Sequence, residues 1–143
     1  MSYQHILLAV DLTEESEQVA EKAVMLMREN QASLSLIHVI EPLSFAYGGD
    51  VPMDLSTIQE QLDEQAQQRL SEFSSQLSVD IKQTHVVTGH TSSEIHRIAK
   101  ETDIDLIIVG SHGRHGLSLL LGSTANDVLH GAICDVLAVR VEK

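Results

Sequence analysis

Five short apolar runs alternate with four stretches of helical periodicity, and this alternation restricts the chain more than any other feature. Ile6–Val10 reads Ile-Leu-Leu-Ala-Val, a continuous run of the kind expected from a strand buried on both faces. Leu34–Ile40, Ile81–Val87, Ile104–Val109 and Val136–Val141 repeat the theme, the third more weakly because Lys82, Gln83 and Thr84 interrupt it. Between the first two runs, over Glu14–Asn30, Val19, Ala20, Ala23, Val24 and Met27 recur at three- and four-residue steps, a helical stripe. A second stripe is Ile58, Leu62, Ala66, Leu70, Phe73 and Leu77, opened by Ser56 with Gln59 at capping-box spacing. Thr91-Ser92-Ser93-Glu94 offers another capping box ahead of Ile95, Ile98 and Ala99, and a short helix is expected over Ser123–His130, stopped by Gly131. The order β-α-β-α-β-α-β-α-β predicts an α/β fold, a doubly wound five-stranded parallel sheet with right-handed crossovers and helices on both faces.

At 143 residues the chain has room for one domain, taken as 1–143, and the sequence shows no repeat or linker. A composition 43% hydrophobic and 21% charged is that of a globular chain, and with 3% aromatics and no Trp the core must be aliphatic. Twenty-one acidic against nine basic side chains give a net charge of −12, which excludes nucleic acid and anionic membrane as partners, since both require a basic face. The acid is unevenly spread: residues 1–103 carry 6 basic and 17 acidic side chains, and residues 104–143 carry 3 and 4. A small anion is best tolerated in that nearly neutral C-terminal stretch. The single cysteine, Cys134, cannot form an internal disulfide. No basic leader opens the chain and no apolar run reaches the roughly 20 residues of a membrane span, so a cytoplasmic location is expected.

In a doubly wound sheet, ligands lie at the carboxyl ends of the strands near the point where strand order reverses. This directs attention to the turns after Val10, Ile40, Val87 and Val109. After Val109 comes Gly110-Ser111-His112-Gly113-Arg114-His115-Gly116, then Gly122-Ser123-Thr124 at the expected helix start. Glycines permit close backbone approach, the first N–H groups of a helix attract an anion, and Ser123, Thr124 and Arg114 add donors. The alternative is a plain glycine turn with Ser123 as N-cap. Neither the Gly-x4-Gly-Lys-Ser/Thr loop nor the Gly-x-Gly-x-x-Gly fingerprint occurs at its required place. His112 and His115 lack a third ligand at recognisable spacing, so no metal site is expected, and no catalytic constellation can be assigned. Asp11 either caps the following helix with Glu14 or contacts a ligand. Glu14, Glu15 and Glu17 read as a solvated first helical turn, and His38 as a hydrogen-bonded core residue.

Taken in order, Ile6–Asp11, Leu34–Val39, Asp105–Arg114, Leu121–Thr124 and Cys134–Val139 resemble the universal stress protein family over essentially the whole chain. The resemblance implies strand order 3-2-1-4-5 and a dimer joined through the last strand. Part of that family binds adenine nucleotides through Gly-x2-Gly-x9-Gly-Ser/Thr. Gly110, Gly113 and Gly122-Ser123 match, with a spacer of eight residues, Arg114–Leu121, in place of nine. Carried over, Ala9 and Val10 line an adenine pocket, Asp11 and Gly110 sit by the ribose, and backbone groups of Val39 read the adenine edge. Gly113, Gly122, Ser123 and Thr124 surround the phosphates, with His112 and Arg114 nearby. The expected ligand is ATP or AMP, with or without Mg2+, acting as a regulatory signal in a stress response, and an unidentified protein partner reads the state. A nucleotide-independent dimeric interaction module and a slow ATPase are the other readings. The apolar run Val136–Val141, broken only by Arg140, independently suggests an edge strand that pairs with a second copy.

Overall fold

Residues 2–42, 55–112 and 123–141 are described by the computed structural model, residues 55, 56, 112 and 123 by backbone alone. Strands β1 (His5–Ala9), β2 (Ser33–Ile40), β3 (Ile81–Thr88), β4 (Leu106–His112) and β5 (Asp135–Val141) form one parallel sheet in the order β3-β2-β1-β4-β5. Among the described residues the helices are α1 (Ser16–Asn30), α2 (Leu55–Gln76), α3 (Thr91–Glu101) and α4 (Ser123–His130). None is long and apolar enough to cross a membrane.

Successive side chains of a strand point to opposite faces, so a continuous apolar run must supply two cores at once. Ile6 and Leu8 of β1, Leu34 and Leu36 of β2, and Leu106 and Ile108 of β4 join Val19, Ala20 and Ala23 of α1 and Leu70 of α2. Leu7, Ile37, Ile107 and Val109 face the other way, against Ile95, Ile98 and Ala99 of α3 and Ala125 and Val128 of α4. The central position of β1, between β2 and β4, explains why Ile6, Leu7 and Leu8 are at most 1% exposed.

Several local expectations are corrected. Ile104 lies ahead of β4, and the strand does not stop at Gly110; it continues to His112 because β5 pairs with it as far as His112↔Val141. Ser56 lies inside α2, which starts at Leu55. The N-cap of α3 is His90 and makes no side-chain cap bond; the Thr91 hydroxyl instead donates to Glu41 at 3.0 Å, while Arg97 holds Glu94 at 2.9 Å. Glu15, not Asp11, is the N-cap of α1, so Glu17 alone of the three glutamates falls in its first turn.

Candidate functional site

The chain leaves β1 to one side and β4 to the other, which opens a crevice at their carboxyl ends. A cleft of about 310 Å³ lies there, within the roughly 300–1,000 Å³ usual for small-molecule sites. Leu8, Ala9, Val10 and Asp11 supply one wall, Ile37, His38 and Val39 a second, and Val109 and Gly110 a third. Glu15 at the N-cap of α1, Ser16 and Val19 within it, Thr91 and Ile95 of α3, Thr124 of α4 and Val141 complete it.

Asp11 sets the first turn. Its Oδ1 accepts from the Thr13 backbone N–H at 3.1 Å, the Thr13 hydroxyl at 2.8 Å and the Ser16 hydroxyl at 2.7 Å. An Asp that bonds the N–H two residues on closes an Asx turn. The carboxylate therefore ties the end of β1 to the start of α1 without capping the helix. Leu12, next along, has φ of 61°, a left-handed conformation that costs a non-glycine residue about 1–3 kcal/mol. The Arg69 guanidinium on α2 donates to the Leu12 carbonyl at 2.6 Å and so braces this strained residue.

The β2 wall presents backbone. Val10 N–H donates to the Ile37 carbonyl at 2.8 Å, and Gly89 N–H to the Ile40 carbonyl at 2.9 Å. Backbone groups of alternate residues in a strand turn to alternate neighbours, so Val39, like Ile37, directs its N–H and C=O toward the β1 side. The β1–β2 pairing ends at Ala9↔Ile37, and Val39 thus faces the space that β1 has left. His38, expected in the core, is only half-buried; its Nδ1 lies 2.7 Å from the Val10 carbonyl, which makes it a cleft-lining group. On the β4 side, a Cβ at Gly110 would stand 3.0 Å from Val19 Cγ2 and 3.4 Å from Val141 Cγ2. At the shorter distance a side chain fits only if the Val19 methyl yields by a few tenths of an ångström.

Of the residues singled out in the sequence, Ala9, Val10, Asp11, Val39, Gly110 and Thr124 come together around this cleft. Gly113, Arg114 and Gly122 lie outside the described residues, as do the side chains of His112 and Ser123. Glu15, Ser16, His38, Thr91, Ile95 and Val141 were not singled out. Ser16, five residues beyond Asp11, and Thr91, at the turn after β3, carried a faint signal in being polar beside strand ends. His38 carried none, because its strand reads as core.

Comparison with known proteins places the chain among relatives. A family model described as the universal stress protein family matches residues 2–140. Universal stress protein A homolog 1 of Coxiella burnetii is 41% identical over the full length of both chains. The universal stress protein A of Escherichia coli K12 is 33% identical over 97% of this chain and 95% of its own. Among solved structures, the universal stress protein UspA of Lactobacillus plantarum superposes with a TM-score of 0.75 at 25% identity, covering 98% of this chain and 99% of that one. A universal stress protein in complex with cAMP has the same fold, with a TM-score of 0.62 at 21% identity and 98% coverage of both chains.

Proposed function

This chain belongs to the universal stress protein family, and from that premise we propose that it binds an adenine nucleotide, ATP or AMP, in the cleft between β1 and β4. The observation that carries the reading is the junction itself. Apolar walls from Ala9, Val10 and Ile37 stand beside outward-facing backbone of Val39, with the Asp11 turn on one side and Gly110 on the other. A flat base fits the apolar walls and can exchange hydrogen bonds with the Val39 backbone. The ribose falls near Asp11 and Gly110. Thr124 stands in the first turn of α4, where N–H groups and the helix dipole favour phosphate, and the phosphates extend toward it, with Mg2+ as their counter-ion where they are charged enough to need one; the family pattern assigns Gly113, Gly122 and Ser123 to the same phosphates. The cAMP-bound relative lends the fold a nucleotide precedent. Two copies join through β5, and occupancy of the cleft is the signal passed to a protein partner. Binding rather than turnover is the function proposed.

Isothermal titration with ATP, AMP and cAMP, on protein stripped of nucleotide, tests this. Micromolar affinity for one of them, lost in the Gly122→Val/Ser123→Ala double variant, is the expected result. Millimolar nucleotide that neither releases heat nor shifts melting overturns it and leaves the nucleotide-independent interaction module.

A further inference from the structure

Helices α1 and α2 do not close against each other along their full length. A groove of about 650 Å³ runs between them, and no residue lining it also lines the nucleotide cleft. Its floor is Ala20, Val24, Phe73 and Leu77, with Met25 on the lip at 42% exposure. Val24, Phe73 and Leu77 rest on the buried aliphatic cluster beneath. The groove is therefore a place where that core reaches the surface instead of being sealed. Along α1 it runs from Glu17 to Glu29, a rise of about 18 Å or three helical turns.

The rim is anionic. Glu17, Glu21 and Glu29 border the groove and are exposed, with Arg28 as the only cation among the lining residues. Among the described residues these three carboxylates have neither an ion pair nor a hydrogen bond. Glu17 and Glu21 stand four apart on α1, a spacing at which like charges repel and weaken a helix. An apolar trough three turns long, edged along its α1 side by three carboxylates and one arginine, complements one kind of surface, a helix with an apolar stripe bordered by lysines or arginines. We infer that this groove is the docking surface for a basic amphipathic helix of a partner protein. A second copy of this chain would set carboxylates against carboxylates, and an anionic lipid surface would meet the same repulsion. The inference does not depend on the nucleotide reading.

The test uses the full chain, 15N-labelled, and three synthetic 14-residue peptides: a Leu/Lys sequence with one apolar face, the same sequence with Glu for Lys, and a scramble of the first without an apolar face. The expected result is saturable binding of the first peptide alone. Amide shifts should be confined to α1 and to residues 73–77, where α2 ends, and affinity should fall at least tenfold in Met25→Ser and in Glu17→Lys/Glu21→Lys/Glu29→Lys. Both variants alter exposed positions only. Equal binding of the scramble would reduce the effect to general attraction by an acidic protein and overturn the proposal. So would shifts centred on the cleft or on β5, or sedimentation of the chain with phosphatidylserine vesicles.

Discussion

At the amino end of the sheet the polar groups are tied to one another; at the carboxyl end they surround an opening. Gln4 N–H and His5 N–H both donate to the Asp105 carboxylate, at 2.8 and 3.0 Å. The His5 ring reaches the Thr102 carbonyl at 3.0 Å and Ser35 Oγ at 2.7 Å, and the Tyr3 hydroxyl reaches Asp135 at 2.8 Å. Each of these bonds links segments distant in sequence, so this end acts as a clamp. At the other end Asp11 orders the turn that follows β1, and Val39 turns backbone toward the cleft. The amino end of the sheet is thus closed by bonds between distant segments, while the carboxyl end, though also cross-linked by Arg69–Leu12 and His38–Val10, keeps a cleft open.

The largest effect should come from breaking the clamp. Asp105→Ala removes the acceptor of two backbone N–H groups, each charge-assisted bond contributing about 1.5–3 kcal/mol. Because the site is partly exposed, a total loss of about 2–3 kcal/mol is expected in urea unfolding. Nucleotide affinity of the folded fraction should stay within twofold; a parallel collapse of affinity would mean that the two ends are not separable. Asp11→Ala should behave the opposite way, with about tenfold weaker ATP or AMP binding by calorimetry and a stability cost of about 1 kcal/mol from the lost turn bonds.

Acid should weaken the clamp side further. Burial holds His5 and His85 below the usual histidine pKa of 6.5, the Thr102 carbonyl partly opposing the shift at His5, while His5 and Arg97 reinforce it at His85. A lowered folded-state pKa means that the unfolded chain takes up protons first. Their stabilising contribution is present above pH 6.5 and is lost as pH falls below it toward the folded-state values. Urea midpoints at pH 7.5, 6.5 and 5.5 should therefore decline in that order, and His85→Gln should flatten the decline. Thr91→Val should have the smallest effect. It deletes one exposed hydrogen bond to Glu41 beside the cleft, so a stability change below about 1 kcal/mol and a less than threefold change in nucleotide affinity are expected.

The strands were legible because three of them are buried on both faces and so are mostly apolar, with His5 and Ser35 bonded to each other where they are not. β3 was fainter because it is an edge, with Lys82, Gln83 and Thr84 exposed. Helix starts were read less well. A hydroxyl near a helix start can bond its own backbone or a distant group, and Thr91 bonds Glu41, fifty residues away, which no local pattern discloses. Gly110 looked like a stop and is a strand residue, since pairing with β5 outweighs the backbone freedom of one glycine. Asp11 and Gly110 were assigned to a ligand site through the family resemblance, and both line the cleft. His38 became visible only once β2 was seen to outrun β1.

The strand order also has a kinetic consequence. The cleft exists only where β1 meets β4, and that seam joins Ile6 to Leu106. Its two sides are a hundred residues apart, so the chain must close its longest described strand-to-strand loop before the pocket gains its third wall, and non-local closure slows folding. An intermediate holding β1, β2 and β3 alone would have a sheet and a partial core but no site. Recovery of nucleotide binding after dilution from urea should therefore trail the return of helical circular dichroism and coincide with protection of the β1 and β4 amides.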